Sequence, residues 1–505
     1  MESADSGAKE VTRFASLALV MALFVGLAVS VAYTKAPWDD ESWFATPGWN
    51  LVTHGHMGTS ALDPSTSPWK AIRVTGIDRH TYWVMPLHFL VTAAWYKLFG
   101  FSLVSLRALT IAWALAALLC WFAIVFEVSE QWNAALFTVV LLACDSSFIA
   151  GAASGRMDPM AFALASASMA VYLRLRARHF AWAITVGSAL ATGAFFSHPI
   201  GGVLAFLGTA MLVLEFDRDL LRVRHVGLAA LPAGFGLACW AAYIAQAPAD
   251  FKVQFGSNAN GRWDGLFHPL LALEFEIRQR YLEHFGFASW ARPEARVFGL
   301  IPAAYAVSLA SALGIRGFRT RRGYGLLALL TLVFFAYFTL MEGFKAESYL
   351  FYSASMFTIV MALLIHWSWN TRSVPRLVTA GIVLVLVGLQ LVRVQRLIVA
   401  DTYHRVYLPV AKVLEKLAPP GTTVFGPAEL GFRLGFKSTL IDDFWLGCRS
   451  GKKAQVLVIK EERVAPMESY AVTAPDVYAC QTRMLKVEYQ AVYQNRGYKV
   501  YIRRP

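Results

Sequence analysis

Three adjacent carboxylates, Asp39, Asp40 and Glu41, stand directly after the first long apolar run of this 505-residue chain. Neighbouring carboxylates repel one another and lose solvation at a membrane boundary, so such a cluster is tolerated most easily where it has a function. A carboxylate here can accept the proton of an acceptor hydroxyl as that oxygen attacks the anomeric carbon of a sugar. It can also hold a divalent cation, because hard cations prefer oxygen ligands. The alternative is a solvated cluster that only marks a helix end.

A second charged pair, Arg156 and Asp158, precedes Pro159 at the start of another apolar run. A helix N-terminus and an arginine together favour an anion such as a phosphate leaving group. The alternative is an ordinary N-terminal cap, in which Asp158 binds free backbone amides and pairs with Arg156. The acidic cluster elsewhere in the chain favours the functional interpretation.

Other polar side chains at the ends of apolar runs are weaker candidates for substrate binding. His80, His88 and His198 match no zinc-binding spacing, and a single histidine at a membrane boundary is commonly an interfacial anchor, so we assign no metal. Lys345 and Tyr349 stand near the start of a late apolar run, where the lysine either meets a phosphate or extends towards the membrane surface.

The composition places these residues in a polytopic membrane protein. Hydrophobic residues make up 57% of the chain and charged residues 16%, which excludes an ordinary soluble protein. The net charge of +13 comes largely from arginines in short loops between apolar runs. This is the positive-inside pattern, and it requires no nucleic-acid partner.

The apolar runs predict an all-α membrane domain of about eleven transmembrane helices. The run after Arg13 is followed by runs at about 103–126, 132–150, 157–175, 180–196, 198–216, 225–246, 296–314, 324–341, 349–367 and 374–395. Residues 86–99 would reach only about 21 Å as a helix, less than the roughly 30 Å of a hydrocarbon core. We therefore predict an amphipathic interfacial helix at 86–99, within a first extracytoplasmic loop 33–102.

With that assignment, fourteen basic residues share the side of the N-terminus, which the positive-inside rule makes cytoplasmic. They are Lys9, Arg13, Arg174, Arg176, Arg178, Arg218, Arg222, Arg224, Arg316, Arg319, Arg321, Arg322, Arg372 and Arg376. The acidic cluster, Arg156, Asp158, His198, Lys345 and the C-terminal tail then all lie on the opposite face. We predict that this face carries the chemistry.

Beyond about residue 400 the composition becomes that of a soluble domain. Residues 1–400 are thus predicted to form the membrane domain, and residues 401–505 a small extracytoplasmic α/β domain. A helix is expected at 406–418 and strands at 422–425, 456–460, 485–489 and 498–503. Cys448 and Cys480 lie in this domain, and whether they form a disulfide is left open.

These segments resemble the bacterial protein-mannosyltransferase and aminoarabinose-transferase families. The resemblance is carried by Asp40-Glu41, by residues 79–88 (RHTYWVMPLH), by residues 97–100 (KLFG) with Arg107, by Arg156-Met157-Asp158 and by the segment from Lys345 to Tyr349. It covers roughly residues 10–400. These families are GT-C membrane glycosyltransferases that use polyprenyl-phosphate sugars.

The resemblance implies an inverting transfer in which Asp40, or its neighbour Asp39, is the base. Glu41 and Asp158 would orient the acceptor and the sugar, and Arg156, Lys345 and His80 would hold the lipid phosphate. Many relatives have a basic residue and two prolines where this chain has Val84-Met85-Pro86. This departure shifts the expected phosphate contact to Arg79, His80 or Lys97. Tyr82 and His88, which lie in the same segment as His80, are further candidates for substrate binding.

We therefore expect a membrane glycosyltransferase that moves a monosaccharide from a polyprenyl-phosphate donor to an acceptor outside the cytoplasmic membrane. Its partners would be the donor, membrane lipids and a lipid, glycan or protein acceptor. The alternatives are a flippase or transporter for lipid-linked sugars, which predicts functional groups along the whole membrane path, and a non-catalytic scaffold. The scaffold alternative would leave Asp40, Arg156 and Asp158 freely replaceable.

Overall fold

A computed structural model describes residues 2–64, 73–260, 262, 264–286, 293–321, 323–436 and 439–505. Arg322 and parts of the loops 33–85 and 247–295, which entered the predictions above, lie outside these residues. Helices dominate the described chain as far as residue 400. The long apolar runs form them because a helix satisfies every backbone hydrogen bond within one segment.

The α-helices of this region are Glu2–Thr34, Asp39–His54, Leu87–Phe99, Leu103–Ser129, Trp132–Ala143, Ser146–Ala152, Asp158–Leu175, Phe180–Ser197, Pro199–Phe216, Val223–Ile244, Pro248–Ala259, Pro269–Phe275, Leu300–Gly314, Arg316–Arg319, Tyr324–Met341, Leu350–Thr371 and Arg376–Ala400. Short 3₁₀ or π-helical turns lie at Arg218–Leu220, Asp264–Leu266, Glu276–Glu283, Pro293–Gly299 and Glu347–Tyr349. Leu87–Phe99 is the helix expected in the interface, and it has only 13 residues.

Nine helices in the described part of the chain are long and apolar enough to cross a membrane, and ten if one bent pair counts as a single span. This count is one or two below the prediction of about eleven spans. Asp158–Leu175 is a helix of 18 residues, about 27 Å long, but it is not among the candidates. Asp158, Arg174 and two serines lower its hydropathy, and neighbouring helices bury most of its surface.

The bent pair consists of Trp132–Ala143 and Ser146–Ala152, which meet at 68°. Asp145 stabilises the break, because its Oδ1 accepts hydrogen bonds from two backbone amides at the start of the second helix. Its Oδ2 accepts from the Tyr305 hydroxyl at 2.5 Å and the Gln390 amide at 3.0 Å. This carboxylate is fully buried, and its hydrogen bonds connect helices that are distant in sequence.

The chain after Ala400 folds around a five-stranded mixed sheet. Its strands are β1 (Val424–Phe425), β2 (Leu440–Ile441), β3 (Val456–Lys460), β4 (Tyr489–Gln494) and β5 (Tyr498–Arg503), in the spatial order β2-β1-β3-β5-β4. β1 is parallel to β2 and β3, whereas β5 is antiparallel to β3 and β4. We call this unit the C-terminal domain.

Helices Leu408–Leu417, Gly431–Leu434, Val464–Thr473 and Pro475–Arg483 surround this sheet, with shorter turns at Tyr403–Tyr407, Ala428–Leu430, Glu461–Arg463 and Met484–Glu488. Two apolar clusters pack on the sheet; one contains Tyr407 and Val458, and the other Phe425 and Leu457. A disulfide joins Cys448 to Cys480. From the sequence alone, it was left open whether these two cysteines form a disulfide.

The prediction of a strand at 485–489 is wrong. Met484–Glu488 instead continues the preceding helix as a π-helical turn, and β4 begins at Tyr489. Met484 and Tyr489 are both buried in the apolar cluster with Phe425, so packing determines where the helix ends. The short strand β2 was not predicted, because two residues carry too little periodicity.

Asp443, just after β2, is expected to make the stability of the C-terminal domain depend on pH. Burial raises the pKa of Asp443 to about 6, against the opposing hydrogen bonds from the amides of Trp445 and Gly447. A carboxyl whose pKa is raised by folding contributes most stability below its unfolded pKa near 4 and loses that contribution as pH rises through about 6. We expect wild-type stability, relative to Asp443→Asn, to fall by about 3 kcal/mol between pH 4 and 7.

The apparent melting temperature, followed by tryptophan fluorescence at a series of pH values, measures this difference. Exposed Asp476 provides the control, because Asp476→Asn is expected to melt in parallel with wild type. A constant offset between wild type and Asp443→Asn over this range would contradict the raised pKa.

Candidate functional site

The acidic cluster forms the first turn of the helix Asp39–His54, which we call the acidic helix. Carboxylates are favoured there because the helix dipole places positive potential at its N-terminus. Successive side chains on a helix diverge by about 100°. Asp39, Asp40 and Glu41 therefore point in three directions, and each pairs with a different arginine.

Glu41 faces the membrane domain and pairs with Arg107 of the helix Leu103–Ser129. The Arg107 Nε and Nη2 atoms each lie 2.7 Å from one oxygen of the Glu41 carboxylate. Arg107 also donates to the carbonyls of Ala32 and Lys35 at the end of the first helix. Both side chains are at most 2% exposed, so this pair joins three segments in the protein interior.

Gly155 completes the surroundings of Glu41. Its amide donates to the Glu41 Oε1 atom at 3.0 Å. A Cβ atom at residue 155 would lie 2.3 Å from Leu106 and 3.3 Å from the same Oε1 atom, so a larger residue would displace the helix or the carboxylate. This close approach fixes the position of the following residue, Arg156.

Asp40 faces Arg156, which also binds Asp158. The Arg156 Nη1 atom contacts Asp40, and the Arg156 Nε atom lies 2.7 Å from Asp158. Asp40 is 13% exposed, whereas Arg156 and Asp158 are 4% and 3% exposed. The guanidinium thus lies between two carboxylates, and Asp40 is the one with a surface open to a substrate.

Aromatic rings surround this arginine. The Arg156 guanidinium carbon lies 5.4 Å from the ring centre of Trp38, 5.2 Å from that of Phe44 and 5.7 Å from that of Tyr349. A cation this close to aromatic faces is stabilised by them and held in a fixed orientation. Arg156, Asp158 and Tyr349, which the sequence analysis proposed as members of one site, therefore lie close together.

A second cation, Arg262, lies next to the same tyrosine. Arg262 lies close enough to Tyr349 to interact with it electrostatically, and its Nη1 atom lies 2.6 Å from Glu342. The Arg262 guanidinium also packs over Phe344 at 4.7 Å. Arg262 is 23% exposed, so one part of its guanidinium remains accessible. Sequence reasoning missed this residue.

Asp39 faces away from Asp40, towards the C-terminal domain. Its Oδ2 atom lies 2.8 Å from Arg463 Nη2, and Arg463 Nη1 lies 2.7 Å from Asp442. Burial acts to raise the pKa of Asp39, but the Arg463 charge, followed by Glu429 and Lys460, holds it well below its usual range. Asp39 is therefore an ionised partner of the C-terminal domain.

Two of the three candidate histidines are buried near Asp158. Neither ring nitrogen of His88 has a hydrogen-bond partner among the described residues. Burial lowers the pKa of His88 to about 4, and Asp158 opposes this shift. His198 lies between Tyr349 and Tyr352, with ring centres 5.3 and 6.1 Å away. His88 is therefore neutral at pH 7 and can serve only as a neutral hydrogen-bonding group.

The remaining histidine, His80, stacks on Tyr82 with the ring centres 5.5 Å apart. The Tyr82 hydroxyl donates to the Tyr243 carbonyl at 2.9 Å, which anchors the first loop to a membrane helix. Arg79 is exposed beside them. None of the described contacts connects these three side chains to Arg156.

Two predicted phosphate contacts also lie apart from the arginine. Lys97 is exposed in the last turn of its helix, about 14 Å along the axis from His88. The Lys345 Nζ atom lies 3.1 Å from Glu276 and donates to the carbonyls of Phe338 and Thr339. These internal partners make Lys345 part of the scaffold beneath Tyr349.

The donor set next to Asp40 is an arginine with two carboxylates. Among the described residues, no group of three or more His, Cys, Asp or Glu side chains is arranged to hold a metal ion. Arg156 supplies the positive charge between Asp40 and Asp158. The divalent cation considered from the sequence therefore has no cluster of ligands in this part of the chain.

Two solved structures share this fold over most of the chain. ArnT from Cupriavidus metallidurans bound to undecaprenyl phosphate is 15% identical with a TM-score of 0.59, and the match covers 95% of this chain and 97% of ArnT. The archaeal oligosaccharyltransferase AglB from Archaeoglobus fulgidus, in complex with an inhibitory peptide and a dolichol-phosphate, is 12% identical with a TM-score of 0.58. That match covers 98% of this chain and 74% of AglB.

No protein-family model matches the chain, and no curated protein is similar to it in sequence. The structural likeness extends over nearly the whole chain. It confirms the predicted fold class: a GT-C-like helical membrane domain followed by a small C-terminal α/β domain.

Proposed function

We propose that this protein transfers a sugar from a polyprenyl-phosphate donor to an acceptor at a membrane. The observation that carries the proposal is the Asp40, Arg156 and Asp158 cluster, in which one partly exposed carboxylate is held by a buried arginine. The fold supports it, because ArnT and AglB with the same fold were solved with undecaprenyl phosphate and dolichol-phosphate. The monosaccharide donor and an inverting course belong to the same proposal.

In this mechanism Asp40 is the general base. It takes the proton of the acceptor group as the acceptor atom attacks the anomeric carbon and forms the new glycosidic bond. The bond between the anomeric carbon and the phosphate oxygen breaks, and polyprenyl phosphate leaves with that electron pair. Arg156 holds the Asp40 carboxylate in one orientation, while Asp158 fixes Arg156 from the other side.

The leaving phosphate requires cationic partners that are at least partly accessible. Arg262 satisfies this requirement, since it lies next to Tyr349 with 23% of its side chain exposed. Arg156 adds a second, buried positive charge, with its guanidinium carbon 5.7 Å from the ring centre of the same tyrosine. Both cations stabilise charge that develops as the phosphate leaves, so they contribute to the transition state more than to the bound donor.

The proposed location is the cytoplasmic membrane of a bacterium, with the site and the C-terminal domain outside. Loop charge supports this orientation, because arginines concentrate at the end of the bundle opposite Asp158. Arg174, in the last turn of the helix that Asp158 begins, belongs to this group. The acceptor would then be a lipid, glycan or protein of the cell envelope.

The experiment measures polyprenyl-phosphate release by purified protein in liposomes. A panel of polyprenyl-phosphate sugars is offered with mixed membrane acceptors, and wild type is compared with Asp158→Asn. We expect acceptor-dependent release by wild type and a reduction of about 100-fold or more in the variant, because Arg156 loses the partner that fixes it. Asp219→Asn is the matched control, because Asp219 is 92% exposed at the other end of the bundle.

Equal release by Asp158→Asn and wild type would contradict the site assignment. A well-folded wild type that releases nothing across the panel would favour transport or a scaffold role.

A further inference from the structure

A buried network of charges connects the C-terminal domain to the acidic helix. We call it the charged seam and define it as Asp39, Glu429, Asp442, Lys460 and Arg463. Four of its members come from the C-terminal domain, and Asp39 alone comes from the membrane domain. Arg463 and Lys460 are 10% and 13% exposed, and Glu429 and Asp442 are fully buried.

The seam is tied to the acidic helix at more than one point. Arg463 bridges Asp39 and Asp442, at 2.8 and 2.7 Å. The other oxygen of Asp442 accepts from the Trp43 indole at 3.3 Å, one turn further along the acidic helix. The Asp442 amide donates to the Ala61 carbonyl at 2.7 Å, which fixes the loop after that helix. Arg463 itself packs on Phe444.

A second layer holds Lys460 and Glu429 in place. Lys460 Nζ lies 3.3 Å from Glu429, and the Tyr498 hydroxyl donates to the same carboxyl at 2.9 Å. Burial and the adjacent Asp39 raise the pKa of Glu429 well above its usual range, whereas the charges of Lys460 and Arg463 act to lower it.

We propose that Arg463 is a positioning residue for transfer: through Asp39 it holds the first turn of the acidic helix, and thereby the Asp40 carboxylate, in its reactive place. This inference rests on the proposed function. Asp39 and Asp40 are adjacent in one helical turn, so a displacement of the first carboxylate displaces the second. A shift of about 1 Å in a reacting group can lower a rate by roughly 100-fold. The C-terminal domain therefore completes the site although it contributes no group to the chemistry.

The test uses the full chain in liposomes with three variants. Asp39→Asn removes only the Arg463–Asp39 ion pair and leaves Arg463 paired with Asp442 inside the C-terminal domain. Arg463→Lys keeps one charge but cannot bridge two carboxylates as a planar guanidinium does. Arg483→Met is the control, since Arg483 lies in the same domain, is 69% exposed and has only a distant acidic partner at 3.7 Å.

We expect Asp39→Asn and Arg463→Lys to lower kcat by about 10-fold or more, with KM for the donor changed less than threefold, because positioning acts on the transition state. The double variant should lose no more activity than the worse of the two single variants, because both changes break the same contact, the ion pair between Arg463 and Asp39. Hydrogen exchange of the amides in residues 38–43 should accelerate in both variants and remain unchanged in Arg483→Met.

Wild-type kcat in Asp39→Asn and Arg463→Lys, or additive losses in the double variant, would overturn the positioning role and leave the proposed function intact. Unchanged exchange at residues 38–43 would overturn it as well. Absence of release by wild type would instead overturn the proposed function and this inference together, so the two failures are distinguishable.

Discussion

Replacement of Asp40 by asparagine is expected to lower acceptor-dependent release of polyprenyl phosphate by about 10²- to 10⁴-fold, the usual contribution of a general base. Asparagine has nearly the same shape as aspartate but cannot take the proton of the acceptor. The loss should appear in kcat, with KM for the donor nearly unchanged, because the donor phosphate contacts other groups in the proposed site. Single-turnover kinetics in liposomes separate the two parameters.

Asp40→Asn should also leave the protein well folded. Asp40 is partly exposed, and Arg156 retains Asp158 as a charged partner in the variant. Its apparent melting temperature should stay within a few degrees of wild type. An Asp40→Asn protein that releases polyprenyl phosphate as fast as wild type would remove Asp40 from the mechanism, whatever the effect of the other variants.

Replacement of Glu41 by glutamine is expected to give the opposite result, a loss of folded protein. Glu41 is fully buried, and both of its oxygens accept hydrogen bonds from Arg107. Removal of one charge from a buried ion pair leaves the other uncompensated, which costs about 3–5 kcal/mol. The measurement is the apparent melting temperature, together with the fraction of protein that elutes as a single species in detergent.

The double variant Glu41→Gln with Arg107→Met serves as a control for this interpretation. It removes both charges, so its destabilisation should be smaller than the sum of the two single changes. Some loss should remain, because the carbonyls of Ala32 and Lys35 lose their donor. A Glu41→Gln protein that melts like wild type but has lost activity would contradict the structural role of Glu41.

The place of the acidic cluster near a site was predictable from sequence, but the helix that it begins and the role of each member were not. The three acids follow an apolar run, and that position indicated only the end of the preceding helix. Their partners lie far along the chain: Arg107 is 66 residues from Glu41, and Arg463 is 424 residues from Asp39. Local spacing carries no information about contacts at such separations.

Arg262 is a residue whose place in the site could not be predicted from the sequence. It stands in the long loop 247–295, two residues before Asp264, and nothing in the surrounding sequence distinguishes it from a solvated arginine. Only the fold places it beside Tyr349 and Glu342. Lys345 had the more suggestive sequence position, yet its ammonium group contacts Glu276 and two carbonyls instead.

The helical bundle was the most predictable part, because each apolar run is itself a strong signal. The exception is the helix that begins at Asp158, where burial against other helices replaces contact with lipid and allows a more polar sequence. In the C-terminal domain, the long strands at Val456 and Tyr498 were predictable from their apolar residues. The two-residue strand at Leu440 depends on its pairing with β1.

The most direct test of this account compares the first and second acids of the cluster under one set of conditions. Acceptor-dependent release is measured in a single turnover for wild type, Asp39→Asn and Asp40→Asn, each normalised to the amount of folded protein. We expect a loss of about 10-fold for Asp39→Asn and of at least 100-fold for Asp40→Asn. The reverse order would make Asp39 the base and contradict the division of roles among the three carboxylates.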